Sequence, residues 1–362
     1  MKVLHVINSM TIGGAEMLLA NTFSPGGLQE YADNILVYFN GSSPLLSKID
    51  PAVKVICLDY SDIRRLPSVL RKLRKIITEN KIDIIHSHLT PADIYVNLAR
   101  PKHIPLVHTL HIAYTTDFET RPVLKLLERK LFFDKKYCNL IFLSDFAKKD
   151  FLDNIPYKGS AYVLNNFIDD AFFDHPTRMQ QHTKEKGLKM IAIGNFRHQK
   201  NYFYLLEIFK HLKEYNIHLD IYGGGDIEKY QAIINENSLN ITLKGQVNDI
   251  NAVIPGYDLF IMSSTNEGFP LSVFEAMAAG IPVMLSNIPP LKNIVKENAV
   301  YFELDNASAA ASQVISMYNN SSGIFEMAEK GRTYAENTVR KKLYIKKLMG
   351  IYEDVIQKSK LN

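Results

Sequence analysis

The feature that most constrains this chain is an alternation of short apolar runs with helically spaced segments, played through twice. In the first pass Val3–Asn8, Asn34–Phe39, Val53–Leu58, Ile82–His86, Leu106–Thr109, Leu140–Ser144 and Ala161–Leu164 read as buried strands. Between several of them apolar residues recur at helical spacing, most clearly Leu66, Val69, Leu70, Leu73, Ile76 and Ile77. Strand–helix–strand punctuation calls for a parallel sheet with helices on both faces. The pattern then restarts. Leu188–Gly194 reads as a strand, a helix follows through Leu205, Leu206, Ile208, Phe209 and Leu212, and further strands fall at His218–Tyr222, Ile241–Leu243, Leu259–Met262 and Pro282–Leu285. A polar, charged stretch from 172 to 187 separates the passes and reads as a linker. The expected fold is therefore α/β, with two Rossmann-like doubly wound domains. The boundaries are 1–170 for the first, 171–187 for the linker and 188–340 for the second, with a C-terminal helix at 341–362 packing back on the first domain.

At 362 residues the chain is long for one core and comfortable for two. No apolar run reaches the ~18 residues needed to span a bilayer. The start, Met1 to Ser9, lacks the long apolar stretch and cleavage site of a signal peptide, so a cytoplasmic protein is expected. Cys57 and Cys138 have no partner at metal-ligand or redox-motif spacing and read as two buried thiols. Charge is unevenly placed: residues 1–168 carry 21 Lys and Arg against 16 Asp and Glu, the remainder 21 against 22. This asymmetry points to an acidic partner or a membrane surface for the first half, and is too weak for nucleic acid. Arg64, Arg65, Arg71, Lys72, Arg74 and Lys75 flank an apolar stripe. Such a helix either lies on an anionic membrane or covers a sheet with its charged face in water, the reading favoured here. A second cluster, Lys125, Arg129, Lys130, Lys135 and Lys136, adds weight to peripheral contact at the inner membrane face.

The stretch that carries chemistry runs from Asp258 to Val283. Leu259–Met262 is a strand, Ser263–Phe269 the turn at its C-terminal end, and Pro270 suits the first helical position. Leu271–Ala279 reads as the helix and Gly280 as its stop. Ligands of open α/β sheets bind at this edge of the strands, and the free amides near Leu271 and Ser272 can face a diphosphate. Glu267 in the loop and Glu275 two turns into the helix face one crevice from different heights. A carboxylate placed like Glu275 accepts two hydrogen bonds from the cis-diol of a ribose. Gly223-Gly-Gly225 invites a dinucleotide reading, but Glu228 stands where the third glycine would fall, which disfavours a dehydrogenase. His86, His88 and His108 read as core histidines, and Glu16 as a helix-start residue.

With these residues in place, the chain resembles the retaining glycosyltransferases of family 4, which have the GT-B fold. The signature is Glu267-Gly-Phe-Pro, then Glu275-Ala-Met-Ala, then Gly280-Ile-Pro-Val. Gly13-Gly14-Ala15-Glu16 looks like the family's glycine-rich loop, His108-Thr-Leu-His111 its histidine segment, and Val163 to Asp169 the end of its first domain. Gly194 to Asn201 resembles its basic phosphate loop and Leu219 to Gly225 a later glycine turn. The resemblance implies that Glu267 contacts the donor sugar and that the backbone of Gly268, Phe269, Pro270 and Leu271 lines sugar and phosphate. By the same token Glu275 holds the ribose, Lys200 and Arg197 stabilise the leaving diphosphate, and His111 sits across the central cleft. Gly14 would allow close backbone approach. The family often has arginine directly after the glycine of the basic loop; here that position is Asn195, with Arg197 two residues on, so Lys200 is the safer phosphate ligand. Phe167 likewise replaces a frequent glycine.

The implied activity is transfer of a sugar from a nucleotide-diphosphate donor, uridine favoured and guanosine next, to a glycan or lipid-linked glycan in surface polysaccharide synthesis. No Asp-x-Asp pair occurs, so no metal and no cofactor are expected, and cationic side chains take up the charge of the leaving group. Two alternatives stay open: a GT-B sugar-nucleotide epimerase, and a non-catalytic nucleotide-sugar or glycan-binding protein.

Overall fold

A computed structural model describes the chain apart from residues 12, 42, 61–64, 112–137, 177–186, 248, 320 and 362. The chain divides into two compact units, Met1–Phe167 with Lys341–Asn362, and Ile168–Arg340.

The first unit is built on a seven-stranded parallel sheet in the order β3-β2-β1-β4-β5-β6-β7. Its strands are β1 Lys2–Ile7, β2 Asp33–Tyr38, β3 Lys54–Cys57, β4 Ile84–His88, β5 Leu106–Leu110, β6 Cys138–Phe142 and β7 Ala161–Val163. β4 and β5 are buried at every residue, as parallel strands covered on both faces require. Helix Leu66–Glu79 buries Val69, Leu73 and Ile77, four residues apart along one stripe. Its Arg71, Lys72, Arg74 and Lys75 are exposed, so this helix covers the sheet with a solvated basic face. The second basic cluster, between 125 and 136, and Arg64 lie outside the described residues. Helix Lys341–Lys360 buries Tyr344, Ile345, Leu348, Ile351, Tyr352 and Val355 in the core of the first unit. Lys341 fixes its start by donating to the Ser24 Oγ at 2.8 Å and the Pro25 carbonyl at 3.1 Å.

One thiol differs from expectation. Cys138 is buried but Cys57 is exposed, because β3 is the edge strand and its end residues, Lys54 and Cys57, face solvent.

The second unit carries a six-stranded parallel sheet in the order β10-β9-β8-β11-β12-β13. Its strands are β8 Leu188–Ile193, β9 Ile217–Tyr222, β10 Ile241–Gly245, β11 Leu259–Met262, β12 Val283–Ser286 and β13 Val300–Phe302. The last of these was not anticipated; three residues flanked by polar sequence give too short an apolar run to register. Of the stretch read as linker, 177–186 lies outside the described residues. Residues 171–176 pack in the second unit, with Phe172 and Phe173 buried. Arg332 donates to the carbonyls of Phe173 and His175 there, which satisfies backbone acceptors in an otherwise polar segment. No helix among the described residues is long and apolar enough to cross a membrane.

The strand order reverses between β8 and β11. Two loops leave in opposite directions from the C-terminal ends of such a pair and open a crevice between them.

Candidate active site

That crevice in the second unit is lined by the loops after β8, β9 and β11. The first two are pressed together. Gly194 has φ +154° and a Cβ there would stand 2.9 Å from the Lys200 side chain. A Cβ on Gly223 would lie 1.9 Å from the Gly194 carbonyl oxygen, so the close approach of these loops depends on glycine at 223. Phe196 N donates to Gly224 O at 2.8 Å, and Asn195 Oδ1 accepts from Gly224 N at 3.0 Å. Asn195 is thus a loop-to-loop tie. Tyr202 donates to the Gly194 carbonyl at 2.6 Å, and Phe196 packs on the rings of Tyr202 and Tyr230. Asn201 holds a left-handed conformation at φ 49°, which turns the chain out of the loop and into helix Tyr202–Lys210.

Lys200 and Glu267, 67 residues apart, meet here. Lys200 Nζ donates to Glu267 Oε1 at 2.7 Å, and the two side chains are only 17% and 10% exposed. Ser264 Oγ donates to the same oxygen at 2.6 Å. The serine is itself placed from β12, since Ser286 Oγ donates to the Ser264 carbonyl at 2.6 Å. Ser263 Oγ reaches the carbonyls of Lys200 and Asn201 at 3.1 and 3.0 Å, and Thr265 N donates to Gln199 O at 2.8 Å. The loops after β8 and β11 are therefore sewn together around one cation and one carboxylate. Ser263 and Ser264 are not among the residues the sequence singles out; two serines ending an apolar strand, just before the Glu-Gly-Phe-Pro turn, are the signal that points to them.

Helix Leu271–Ala278 follows, with Pro270 as its N-cap and Gly280, at φ 73°, as its stop. Ile281 N donates to Ala276 O and Gly280 N to Met277 O, the six-to-one and nested bonds of a glycine-terminated helix. The expectation of free amides at the helix start needs one correction. Leu271 N is taken by Phe269 O at 3.0 Å, which leaves the Ser272 amide as the free one among the described residues. Gly268 is half-buried in the loop and Phe269 stacks on Phe274. Glu275 lies in the following turn. Burial, with the Asp169 carboxylate as a smaller influence, pushes its carboxyl up to about 7.

Arg197 is exposed and makes no ion pair among the described residues, so it takes no part in the Lys200–Glu267 pair. Gly14 and His111 belong to the first unit. A Cβ on Gly14 would meet nothing within 4 Å, whereas on Gly13 it would meet the Glu16 carboxylate at 2.4 Å. His111 follows β5, and its Nε2 is buried without a hydrogen-bond partner. Burial lowers its ring to about 4, so it is neutral at physiological pH.

This architecture has counterparts. Residues 174–338 match the family model for glycosyl transferases group 1, and residues 22–172 that for glycosyltransferase family 4. A UDP-Gal:alpha-D-GlcNAc-diphosphoundecaprenol alpha-1,3-galactosyltransferase of Escherichia coli is 28% identical over 323 residues, 82% of this chain and 81% of that one. The capsular polysaccharide biosynthesis glycosyltransferase CapH of Staphylococcus aureus is 24% identical over 79% of this chain and 81% of its own. Among solved structures, HepE of Anabaena in complex with UDP superposes with a TM-score of 0.81 at 16% identity, over 98% of this chain and all of that one. The two family models adjoin and together take in nearly the whole chain: it belongs to the group 1, family 4 glycosyltransferases and has the GT-B fold.

Proposed function

We propose that this transferase moves a hexose from a uridine-diphosphate donor, with a guanosine donor as second choice, to a lipid-linked glycan of surface polysaccharide synthesis, with retention at the anomeric carbon and no metal. The observation that carries the reading is the Lys200–Glu267 pair held between the loops after β8 and β11. A nucleotide diphosphate leaves with at least two negative charges, and a preorganised ammonium in a half-buried crevice is suited to stabilise them. In the free protein that ammonium is matched by Glu267. On binding, the diphosphate takes over Lys200 and frees Glu267, oriented by Ser264, to accept from sugar hydroxyls. Ser272 N adds a backbone donor for phosphate, and Arg197, exposed and unpaired, is available to close on it.

Glu275, in the second turn of its helix, accepts from the ribose hydroxyls. The role implied for His111, contact with the reacting sugar, requires its buried Nε2 to be uncovered. Same-face displacement assisted by the departing phosphate needs no enzymic nucleophile; trapping a covalent sugar–enzyme adduct would overturn it. The lipid-linked acceptor is supported by the E. coli relative, which acts on a diphosphoundecaprenol-linked sugar, and the exposed basic face of helix Leu66–Glu79 offers contact with anionic lipid.

The test is calorimetric titration, without metal, of uridine- and guanosine-diphosphate sugars into the wild type and Glu275→Ala. Selective binding that the substitution weakens supports the assignment and names the base. No binding by any member, with or without acceptor, removes it.

A further inference from the structure

A second cluster of chemistry-bearing side chains lies in the first unit, beneath helix Lys341–Lys360. His5 of β1 and His86 of β4 are register partners, so the parallel ladder carries both rings to one face, and His88, two residues on, follows His86. All three are at most 2% exposed. Each offers a ring nitrogen within 4.8 Å of one from each of the others; one ion at about 2.1 Å spans at most about 4.2 Å, so the rings must draw in on binding.

The nitrogens are poorly accounted for by hydrogen bonds alone. His5 Nδ1 and His88 Nε2 stand 3.5 Å apart, long for a hydrogen bond from nitrogen, which centres near ~3.0 Å. Two nitrogens bound to one tetrahedral ion at about 2.1 Å stand about 3.4 Å apart, which this spacing fits. His5 Nε2 and His88 Nδ1 are buried without a conventional partner, and such orphans are rare in a core. Asn34 is the hydrogen-bonding neighbour acting on His5. Its amide nitrogen is committed to Ala32 O at 2.7 Å, and its Oδ1 is buried without a conventional partner, so a weak contact with a proton on His5 Nε2 is the use left for it. That tautomer leaves the Nδ1 lone pair facing His88. His86 has Tyr352 on Nδ1 at 2.6 Å and Thr109 on Nε2 at 2.7 Å.

We propose that His5, His86 and His88 form a buried site for one transition-metal ion of the zinc class, which ties β1 to β4. His86 gives up one hydroxyl partner to the ion and keeps the other, which then orients the ring as outer-shell partners of metal-bound histidines do. Burial, with neighbouring rings adding to it at His86 and His88, keeps all three imidazoles neutral at physiological pH, the form that ligates. The ion takes no part in the sugar transfer proposed above; its work is to fix His5 and His88, whose rings are otherwise under-bonded, against His86.

The experiment uses the full chain. Protein made in zinc-supplemented medium is desalted and its metal content measured; about one equivalent is expected. Chelator-stripped protein is titrated with Co2+ and followed by visible absorption. The expected result is a saturable d–d band at about one equivalent, abolished by Zn2+, and a melting temperature raised by several degrees with Zn2+. His5→Gln and His88→Gln should each weaken Co2+ binding at least about tenfold, while His103→Gln, at an exposed position, should not. Wild type that carries no metal, gives no band and shows no thermal response overturns the proposal. So does Co2+ binding that survives in both histidine variants. Should those variants fail to fold, the wild-type metal content and spectrum decide alone.

Discussion

Glu275 offers a case in which one substitution should strengthen the fold and weaken the function. Its carboxyl is raised from 4.5 to about 7 by burial, with Asp169 adding to it. In the unfolded chain the group ionises near the ordinary value, so between about pH 4.5 and 7 the folded state holds a proton that the unfolded state has lost. Stability from this group is therefore intact below pH 4.5 and falls as pH rises to 7. At 1.36 kcal/mol per unit, the shift corresponds to about 3 kcal/mol lost above pH 7, an upper figure for a single carboxylate. Glu275→Gln keeps the shape and removes the ionisation. At pH 8 it should stabilise the second unit by up to that amount, which for a domain of this size is on the order of 10 °C at most. At pH 4.5 it should change little. The assay is calorimetric melting of both proteins at the two pH values, following the transition of the second unit; comparison of the pair cancels every other titration. The same variant should bind the donor about ten- to a hundredfold more weakly, since hydrogen bonds to a charged acceptor contribute about 1.5–3 kcal/mol. A variant that melts no higher than wild type at pH 8 would refute the claim that this carboxylate is held against its own solvation.

The other predictions concern the loops around it. Lys200→Ala should lower kcat by about a hundredfold or more and, by leaving a mostly buried Glu267 with Ser264 alone, cost up to about 3–5 kcal/mol of stability; steady-state kinetics and melting read the two effects separately. Arg197→Ala should reduce turnover sharply and leave stability within about 0.5 kcal/mol, since the side chain is exposed; near-normal turnover would remove it from the mechanism. Gly223→Ala sets a Cβ 1.9 Å from the Gly194 carbonyl and should destabilise by about 1–3 kcal/mol, with loss of donor affinity because the loops must part.

What the sequence made legible here followed period and punctuation. The central strands of both sheets were readable because parallel strands buried on both faces are continuous apolar runs, and β11 is a clear case, buried at all four residues. β13 was not, because three residues carry no period. Gly280 could be placed as a helix stop from its position alone, and it takes the positive φ such a stop requires. The amide at Leu271 could not be assigned, because its bond to Phe269 O depends on the fold of the preceding loop. Contacts between distant residues lay out of reach for the same reason. Nothing local says that Lys200 and Glu267 share a bond, or that a serine from β12 sets the residue that orients the carboxylate. The histidines make the point most sharply. In the sequence His86 and His88 read as ordinary core histidines of one apolar run, and His5 sits in another run some eighty residues upstream. Only strand order brings β1 beside β4, and only register puts His5 opposite His86. A pair of rings one residue out of register would have faced opposite sides of the sheet, so the cluster exists because of an alignment that no single segment encodes.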